Sequence, residues 1–153
     1  MKKIQLILFI SLLLSGLKIY AQSDAFEINI NNNQPDFIFN TIADYENGIT
    51  YPAAVSFSVT AEKGDNWSIY VKSQESAFTT GANSIPLTML TIHVQGFNAR
   101  ILSTTDQIIA SDSPNNKDPE TTQYLIDYTV SAPGYTYNPG TYTCTIVYTI
   151  TVK

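Results

Sequence analysis

Apolar and polar side chains alternate at every second position in one segment of this chain after another. The longest such segment is the last, where Tyr142, Cys144, Ile146, Tyr148, Ile150 and Val152 share one face and threonines occupy most of the other. Successive side chains of a β-strand point to opposite faces, whereas an amphipathic helix repeats its apolar residues every three or four positions. Helical spacing does not recur after residue 21. The sequence therefore predicts an all-β domain.

About seven or eight alternating runs, separated by turn signals, predict an immunoglobulin-like antiparallel β-sandwich. Residues 55–59 and 67–71 both alternate, and the polar turn 63–66 joins them, so we expect a hairpin here. No helix longer than one turn is expected. Burying the four apolar side chains at positions 146, 148, 150 and 152 is worth on the order of 6–12 kcal/mol. We therefore expect the last strand to lie in the interior of the fold.

The first 21 residues have the layout of a secretory signal peptide. Lys2 and Lys3 precede an almost wholly apolar stretch, residues 4–17, and Ala21 offers a cleavage point. A membrane-spanning helix needs about 20 apolar residues, so this stretch is too short to serve as an anchor. We expect export to the periplasm, the cell surface or the medium, with no membrane insertion after processing. The mature chain, residues 22–153, is then a single domain.

Net charge and cysteine content limit which classes of partner the mature domain can bind and whether it can form a disulfide. Three of the eight basic residues and none of the 13 acidic residues lie in the signal, so the mature domain has a net charge of −8. Nucleic acids and anionic membranes bind Lys/Arg patches, and we expect neither as a partner. Cys144 is the only cysteine and cannot form an intramolecular disulfide. Its phase in the last strand predicts a buried, inert thiol.

No arrangement of residues predicts catalysis or a cofactor, so we expect a protein that is not an enzyme. His93, the only histidine, lies within a strand-like run, and zinc sites use several His or Cys ligands. A small hydrolase that uses Asp127 or the acidic loop at residues 111–122 is one hypothesis for function, added to the two that are stated at the end of this section. That loop also suggests an alternative calcium site, because Asp112, Asp118 and Glu120 supply the oxygen ligands that calcium prefers. Their spacing matches no known calcium loop.

Two aromatic residues are candidates for ligand contact. Tyr135 and Tyr137 lie in the Pro/Gly-rich turn 132–140, which can hold their rings away from the core to stack on a glycan or a partner protein. Capping the end of the sandwich is an equal alternative for them. Trp67 lies among alternating apolar residues, and there we expect a core aromatic.

The closing segment resembles a known family. Residues 139–143, Pro-Gly-Thr-Tyr-Thr, followed by the alternating strand to Val152, are similar to the last strand of bacterial secreted pilin-like domains, particularly the spore-coat-protein-U type. The signal ending at Ala21 is similar in style to those of exported Bacteroidota proteins. This chain differs from the family in lacking its usual cysteine pair. The resemblance implies an immunoglobulin-like subunit that acts in adhesion or structure by assembling at the cell surface.

The N-terminal strand is a candidate for that assembly. Phe26, Ile28 and Ile30 alternate with polar residues and precede an Asn/Gln/Pro-rich segment, residues 31–36. Such a strand pairs either with its own sheet or with the open edge of a neighbouring copy. The leading hypothesis is therefore a pilin-like surface subunit that self-assembles by strand addition. The alternative is a monomeric secreted module that binds a glycan or a protein through Tyr135 and Tyr137.

Overall fold

The computed structural model describes residues 27–31, 37–138 and 140–152; the expected signal peptide and Phe26 lie outside them. Ten strands, one α-helix and one 3₁₀ turn are found in this part of the chain. They are β1 (Glu27–Asn31), α1 (Ile42–Asn47), β2 (Ile49–Ala61), β3 (Trp67–Ser73), β4 (Ala77–Thr80), β5 (Asn83–Pro86), a 3₁₀ turn (Leu87–Met89), β6 (Leu90–Val94), β7 (Arg100–Ile101), β8 (Gln107–Asp112), β9 (Glu120–Val130) and β10 (Ile146–Val152). The all-β prediction is confirmed. The strand count exceeds the expected seven or eight because β4, β5 and β7 are too short to show an alternating period.

Two antiparallel sheets face each other. The larger has the strand order β1-β2-β9-β6-β7, the smaller has the order β10-β3-β8, and β4 and β5 form a separate hairpin. The predicted hairpin between residues 55–59 and 67–71 is wrong, because β2 and β3 belong to different sheets. The turn at residues 63–66 carries the chain across the core instead. Alternation gives the inward face of a strand correctly but does not give its partner.

The core lies between the sheets and includes the inward-facing residues that the alternation in 55–59 and 67–71 predicts. The most buried side chains include Val55, Phe57, Val59, Trp67, Ile69, Val71, Leu90, Ile92, Val94, Ile126 and Tyr128, each at most 2% exposed. Trp67 is therefore a core aromatic, as expected. Its ring packs edge-on against Tyr124, with 5.4 Å between the ring centroids.

The backbone of β1 pairs antiparallel with β2 of the same chain, from Glu27 opposite Thr60 to Asn31 opposite Ser56. Two of the three candidate donor residues, Ile28 and Ile30, belong to this strand. Of the two alternatives that the sequence left open for this strand, the structure therefore has pairing within the chain. The strand β1 forms one edge of the larger sheet.

The helix α1 is longer than the single turn expected from the sequence. Thr41 caps it: the Thr41 hydroxyl accepts a hydrogen bond from the Asp44 N–H, and the Asp44 carboxylate accepts one from the Thr41 N–H at 2.8 Å. Backbone N–H groups of Asn40 and Thr41 lower the pKa of Asp44 below its usual value. Six residues are too few to show a helical period. Among the described residues, no helix has the length and apolar character that crossing a membrane requires.

Candidate functional site

The outermost strand of the smaller sheet, β10, is incompletely covered. Its inward side chains Ile146, Tyr148 and Ile150 are only half-buried, and Val152 is 46% exposed. On the adjacent strand β3, the side chains opposite them are no more than 2% exposed. The expectation that the last strand lies in the interior is therefore wrong. The apolar pattern is real, but in the described part of the chain β10 has a strand neighbour on one side only.

The opposite side of the sandwich is closed by side chains. The Arg100 Nε of β7 donates to the Ile108 carbonyl of β8 at 3.1 Å, and the Gln107 Nε2 of β8 donates to the Ile101 carbonyl of β7 at 2.9 Å. The carbonyl groups of Ile108 and Ile101 on these edge strands are thus already occupied. Natural sheets use such polar side chains to prevent pairing between edges. The two edges of the smaller sheet therefore differ: side chains protect β8, and no described strand or charged side chain of β10 itself protects β10.

A tyrosine pair connects the two sheets beneath this open edge. The hydroxyl groups of Tyr128 on β9 and Tyr148 on β10 form a hydrogen bond. Phe37 packs edge-on against Tyr128 at 5.8 Å between ring centroids. Burial raises the pKa of both hydroxyls, so both stay protonated at neutral pH. The side chains on the inner face of β10 are therefore fixed to the opposite sheet, while no strand of the described residues pairs with its outer edge.

The chain is also held where it enters β10. The Glu75 carboxylate accepts hydrogen bonds from the Thr145 N–H at 2.6 Å and from the Thr145 hydroxyl at 3.0 Å. The N–H bond is the main cause that lowers the pKa of Glu75 below its usual value. Thr79 and Thr143 exchange backbone hydrogen bonds of 3.0 and 3.1 Å. The open edge thus begins at Ile146, after the last of these anchors.

Cys144 lies just before the open edge and is half-buried. Burial raises the pKa of its thiol to about 11, opposed by a hydrogen bond with Ser73. A thiol with that pKa is almost fully protonated at neutral pH and reacts slowly, because the thiolate is the nucleophile. The sequence predicts a buried, inert thiol; the thiol is only half-buried, and its raised pKa agrees with the inert part of that prediction.

The structure brings Tyr135 together with a residue that the sequence did not suggest. The ring of Tyr135 is 72% exposed and stacks on the ring of Tyr45 in α1, with 6.1 Å between centroids and 12° between planes. The Gly134 N–H donates to the Tyr45 carbonyl at 2.9 Å and holds the turn against the helix. Tyr137, the other candidate, is half-buried. The ring that stacks on Tyr135 is that of Tyr45. These residues are 90 positions apart, and no local pattern could have connected them.

The residues considered for metal binding or hydrolysis separate into two places. No group of three or more His, Cys, Asp or Glu side chains in the described residues could hold a metal ion, so Asp112, Asp118 and Glu120 have no geometric support as a calcium site. Glu120 instead accepts a hydrogen bond from the side chain of Asn116. Asp127 pairs with His93 across strands β9 and β6, 3.4 Å from Oδ2 to Nδ1.

Fold and site together define an all-β sandwich whose final strand presents a partly covered apolar edge. No protein-family model and no curated protein matches the chain. Among solved structures, the P pilus rod subunit PapA is similar, with a TM-score of 0.47 and 12% sequence identity over 84% of this chain and 99% of that chain. Similarity at this level does not define a family for the chain.

Proposed function

We propose that the mature chain is an exported, non-enzymatic structural or adhesive subunit of the bacterial cell surface, which assembles with protein partners, including its own copies, by strand addition at β10. The observation that carries the proposal is the half-buried apolar row on an edge strand that has no neighbour on its outer side among the described residues. Exposed apolar edges of this kind pair readily with other strands, and natural proteins otherwise protect them. The β8 edge of the same sheet has that protection.

The backbone of β10 offers a ladder for such an added strand. The Gln74 N–H donates to the Thr145 carbonyl at 3.0 Å, which fixes the phase of the segment. Both backbone polar groups of a residue point to the same side of an antiparallel strand, and the side alternates along the strand. The N–H and C=O groups of Ile146, Tyr148 and Ile150 therefore point away from β3. An incoming strand would pair with them and cover the adjacent apolar side chains.

The N-terminal segment is the proposed donor. Phe26, Ile28 and Ile30 provide the alternating apolar residues, and β10 carries no charged residue that would oppose the segment. In this structure the same strand pairs with β2 of its own chain. Donation therefore requires exchange, in which one strand leaves β2 and pairs with β10 of the next copy. Such exchange replaces one set of ladder hydrogen bonds by another of similar strength.

A lysine at the open edge is expected to prevent assembly. For purified residues 22–153, Val152→Lys should lower the oligomer fraction at least about ten-fold, because an inward-facing charge blocks strand addition. Ile108→Lys is the matched control, since Ile108 is 44% exposed, close to the 46% of Val152, and lies on the protected edge of the same sheet. It should leave oligomers intact. Size-exclusion chromatography and gels run with and without boiling in SDS measure both.

The donor segment is tested separately. Deleting residues 22–33 should abolish oligomers. The deleted protein has two vacant strand edges, β10 and the β2 edge that β1 leaves, so it should bind two copies of a synthetic peptide of residues 22–33, and its Val152→Lys form should bind one. If purified 22–153 stays monomeric at high concentration and the deleted form binds no more peptide than its Val152→Lys form, strand addition at β10 is wrong. N-terminal sequencing of the exported protein should begin at Gln22; retention of residues 1–21 would contradict export with cleavage.

The stacked tyrosines favour a second candidate function, the binding of a glycan or a partner protein. Tyr135 leaves one ring face open while Tyr45 supports the other, which is a rigid aromatic surface of the kind that stacks on sugars. Tyr135→Ala should abolish retention on an array of neutral oligosaccharides and leave the melting temperature nearly unchanged. Tyr137→Ala is the control and should retain binding. Equal retention by wild type and Tyr135→Ala would contradict a glycan site here.

A further inference from the structure

A large bulge interrupts β2 opposite Asp127. The ladder between β2 and β9 pairs Tyr51 with Tyr128 and next pairs Val55 with Ile126. The three residues 52–54 of β2 therefore stand opposite a single residue of β9, Asp127. A bulge of this size interrupts the ladder, so the Ala53 N–H in its middle takes an acceptor other than a backbone carbonyl of the facing strand.

The side chain of Asp127 supplies the missing acceptor. Its Oδ1 accepts a hydrogen bond from the Ala53 N–H at 2.8 Å. Ala53 has a φ of 51°, the only positive φ of a non-glycine residue in the described part of the chain. This left-handed conformation is unfavourable for alanine and persists only where the surroundings impose it. Pro52 has no N–H, so the Ala53 N–H is the donor by which the carboxylate holds the middle of the bulge.

The same carboxylate also contacts the strand on its other side. The Gln95 Nε2, just after β6, donates to Asp127 Oδ1 at 3.1 Å, and the His93 Nδ1 of β6 lies 3.4 Å from Oδ2. The Asp127 side chain is 18% exposed and the His93 side chain 42% exposed. One partly buried charge therefore connects β2, β9 and β6 on the outer face of the larger sheet.

The charge on Asp127 is favoured at neutral pH. Partial burial by itself raises the pKa of this carboxyl, but the bonds from the Ala53 N–H, Gln95 and His93, together with the charge of His93, outweigh burial and lower the pKa below 3.8. His93 is the one titratable group among these partners. Because the folded-state pKa is lowered, the stabilisation is complete above the unfolded-state value and is lost as the pH falls through the folded-state value.

We propose that Asp127 is an acid-sensitive latch on the β2 bulge: its carboxylate holds the bulge at neutral pH, and protonation releases the bulge and loosens the β1–β2 edge while the core stays folded. The edge is affected because β1 pairs with residues 56–60, directly after the bulge. A slip of one residue in β2 would turn Val55, Phe57 and Val59 to the wrong face, so the bulge fixes the register of that segment. The inference rests on the geometry of one chain and does not depend on assembly.

Amide hydrogen exchange between pH 7 and pH 2.5, followed by NMR, tests the latch; the Val152→Lys form of 22–153 serves as the wild-type background, because it is expected to be monomeric and to keep β1 on β2. Protection of the Ala53 amide and of the β1 amides should be constant from pH 7 to pH 5 and should be lost progressively as the pH falls below 3.8, while the Ile69 amide in the core stays protected. Asp127→Asn should show the low protection already at pH 7. Asp106→Asn, which removes a carboxylate paired with Lys72 at the surface, is the matched control and should behave like wild type.

Two further results decide the proposal. His93→Gln should keep the latch but raise its midpoint, because the positive partner is lost and the Ala53 bond remains. The latch is wrong if Asp127→Asn protects Ala53 like wild type at pH 7, or if the Ile69 amide loses protection at the same pH as Ala53. Circular dichroism of Asp127→Asn should show the wild-type β-signal; a different result would mean that Asp127 is needed for folding itself and would also overturn the latch.

Discussion

Replacing Trp67 by alanine is expected to lower the free energy of unfolding by about 3–5 kcal/mol. Trp67 is 2% exposed, begins β3, and packs edge-on against Tyr124 between the two sheets. Removing the indole loses its burial and its aromatic contact, and it leaves a void that the surrounding strands cannot fill by moving together. Denaturant unfolding followed by circular dichroism measures the loss.

The control for this variant lies on the same strand. Tyr70→Ala removes another large aromatic, but Tyr70 is on the outer face of β3 and half-buried, so about 1 kcal/mol is expected. Trp67→Phe should fall between the two variants because it keeps an aromatic ring in the core. Equal losses for Trp67→Ala and Tyr70→Ala would contradict the burial of Trp67.

The second large effect is expected at the end of α1. Gly48→Ala should cost about 3–4 kcal/mol, because Gly48 has φ 78° and ψ −175°, a region that essentially only glycine occupies. A Cβ at this position would lie 2.9 Å from the Ala132 N and closer still to the Val130 carbonyl. These are backbone atoms at the end of β9 and cannot rotate away. Either α1 separates from the sheet or β9 shifts.

Gly96→Ala separates the steric effect from the conformational one. Gly96 has φ 90°, but a Cβ added to it would meet no atom within 4 Å, so only the backbone cost of about 1–2 kcal/mol remains. NMR shifts of the Tyr45 and Tyr135 ring protons provide a second measurement, because displacement of α1 would separate the stacked rings. Equal costs for the two glycine variants would show that α1 does not pack on β9 as described.

Part of the open edge could be predicted from the sequence. Alternation identified the inward row Ile146, Tyr148 and Ile150 and placed the threonines outside, and both phases agree with the structure. The same pattern led to the wrong conclusion that the strand lies in the interior. An edge strand and a central strand can have the same row of apolar side chains. Alternation shows which face of a strand is apolar, but it does not show how many neighbouring strands it has.

The other features of the site depend on residues far apart in the chain. Tyr45 lies 90 positions before Tyr135, and Ala53 lies 74 positions before Asp127. Neither pair leaves a local signal in the sequence. The helix α1 is too short to show a helical period, and the bulge at residues 52–54 has no sequence pattern by which it could be recognised. The single histidine is visible in the sequence, but its position beside Asp127 follows from the antiparallel register of β6 and β9.

The sequence by itself determined the all-β class and the side of each long strand that faces the core, because the two-residue period of a strand is a local property of the chain. Only the tertiary structure decided that β2 and β3 lie in different sheets, that β8 is a protected edge and that β10 is an open one. Strand order depends on which distant segments bury the most apolar surface together. The free energy gained by this burial depends on the whole folded sandwich and cannot be assigned to any single segment.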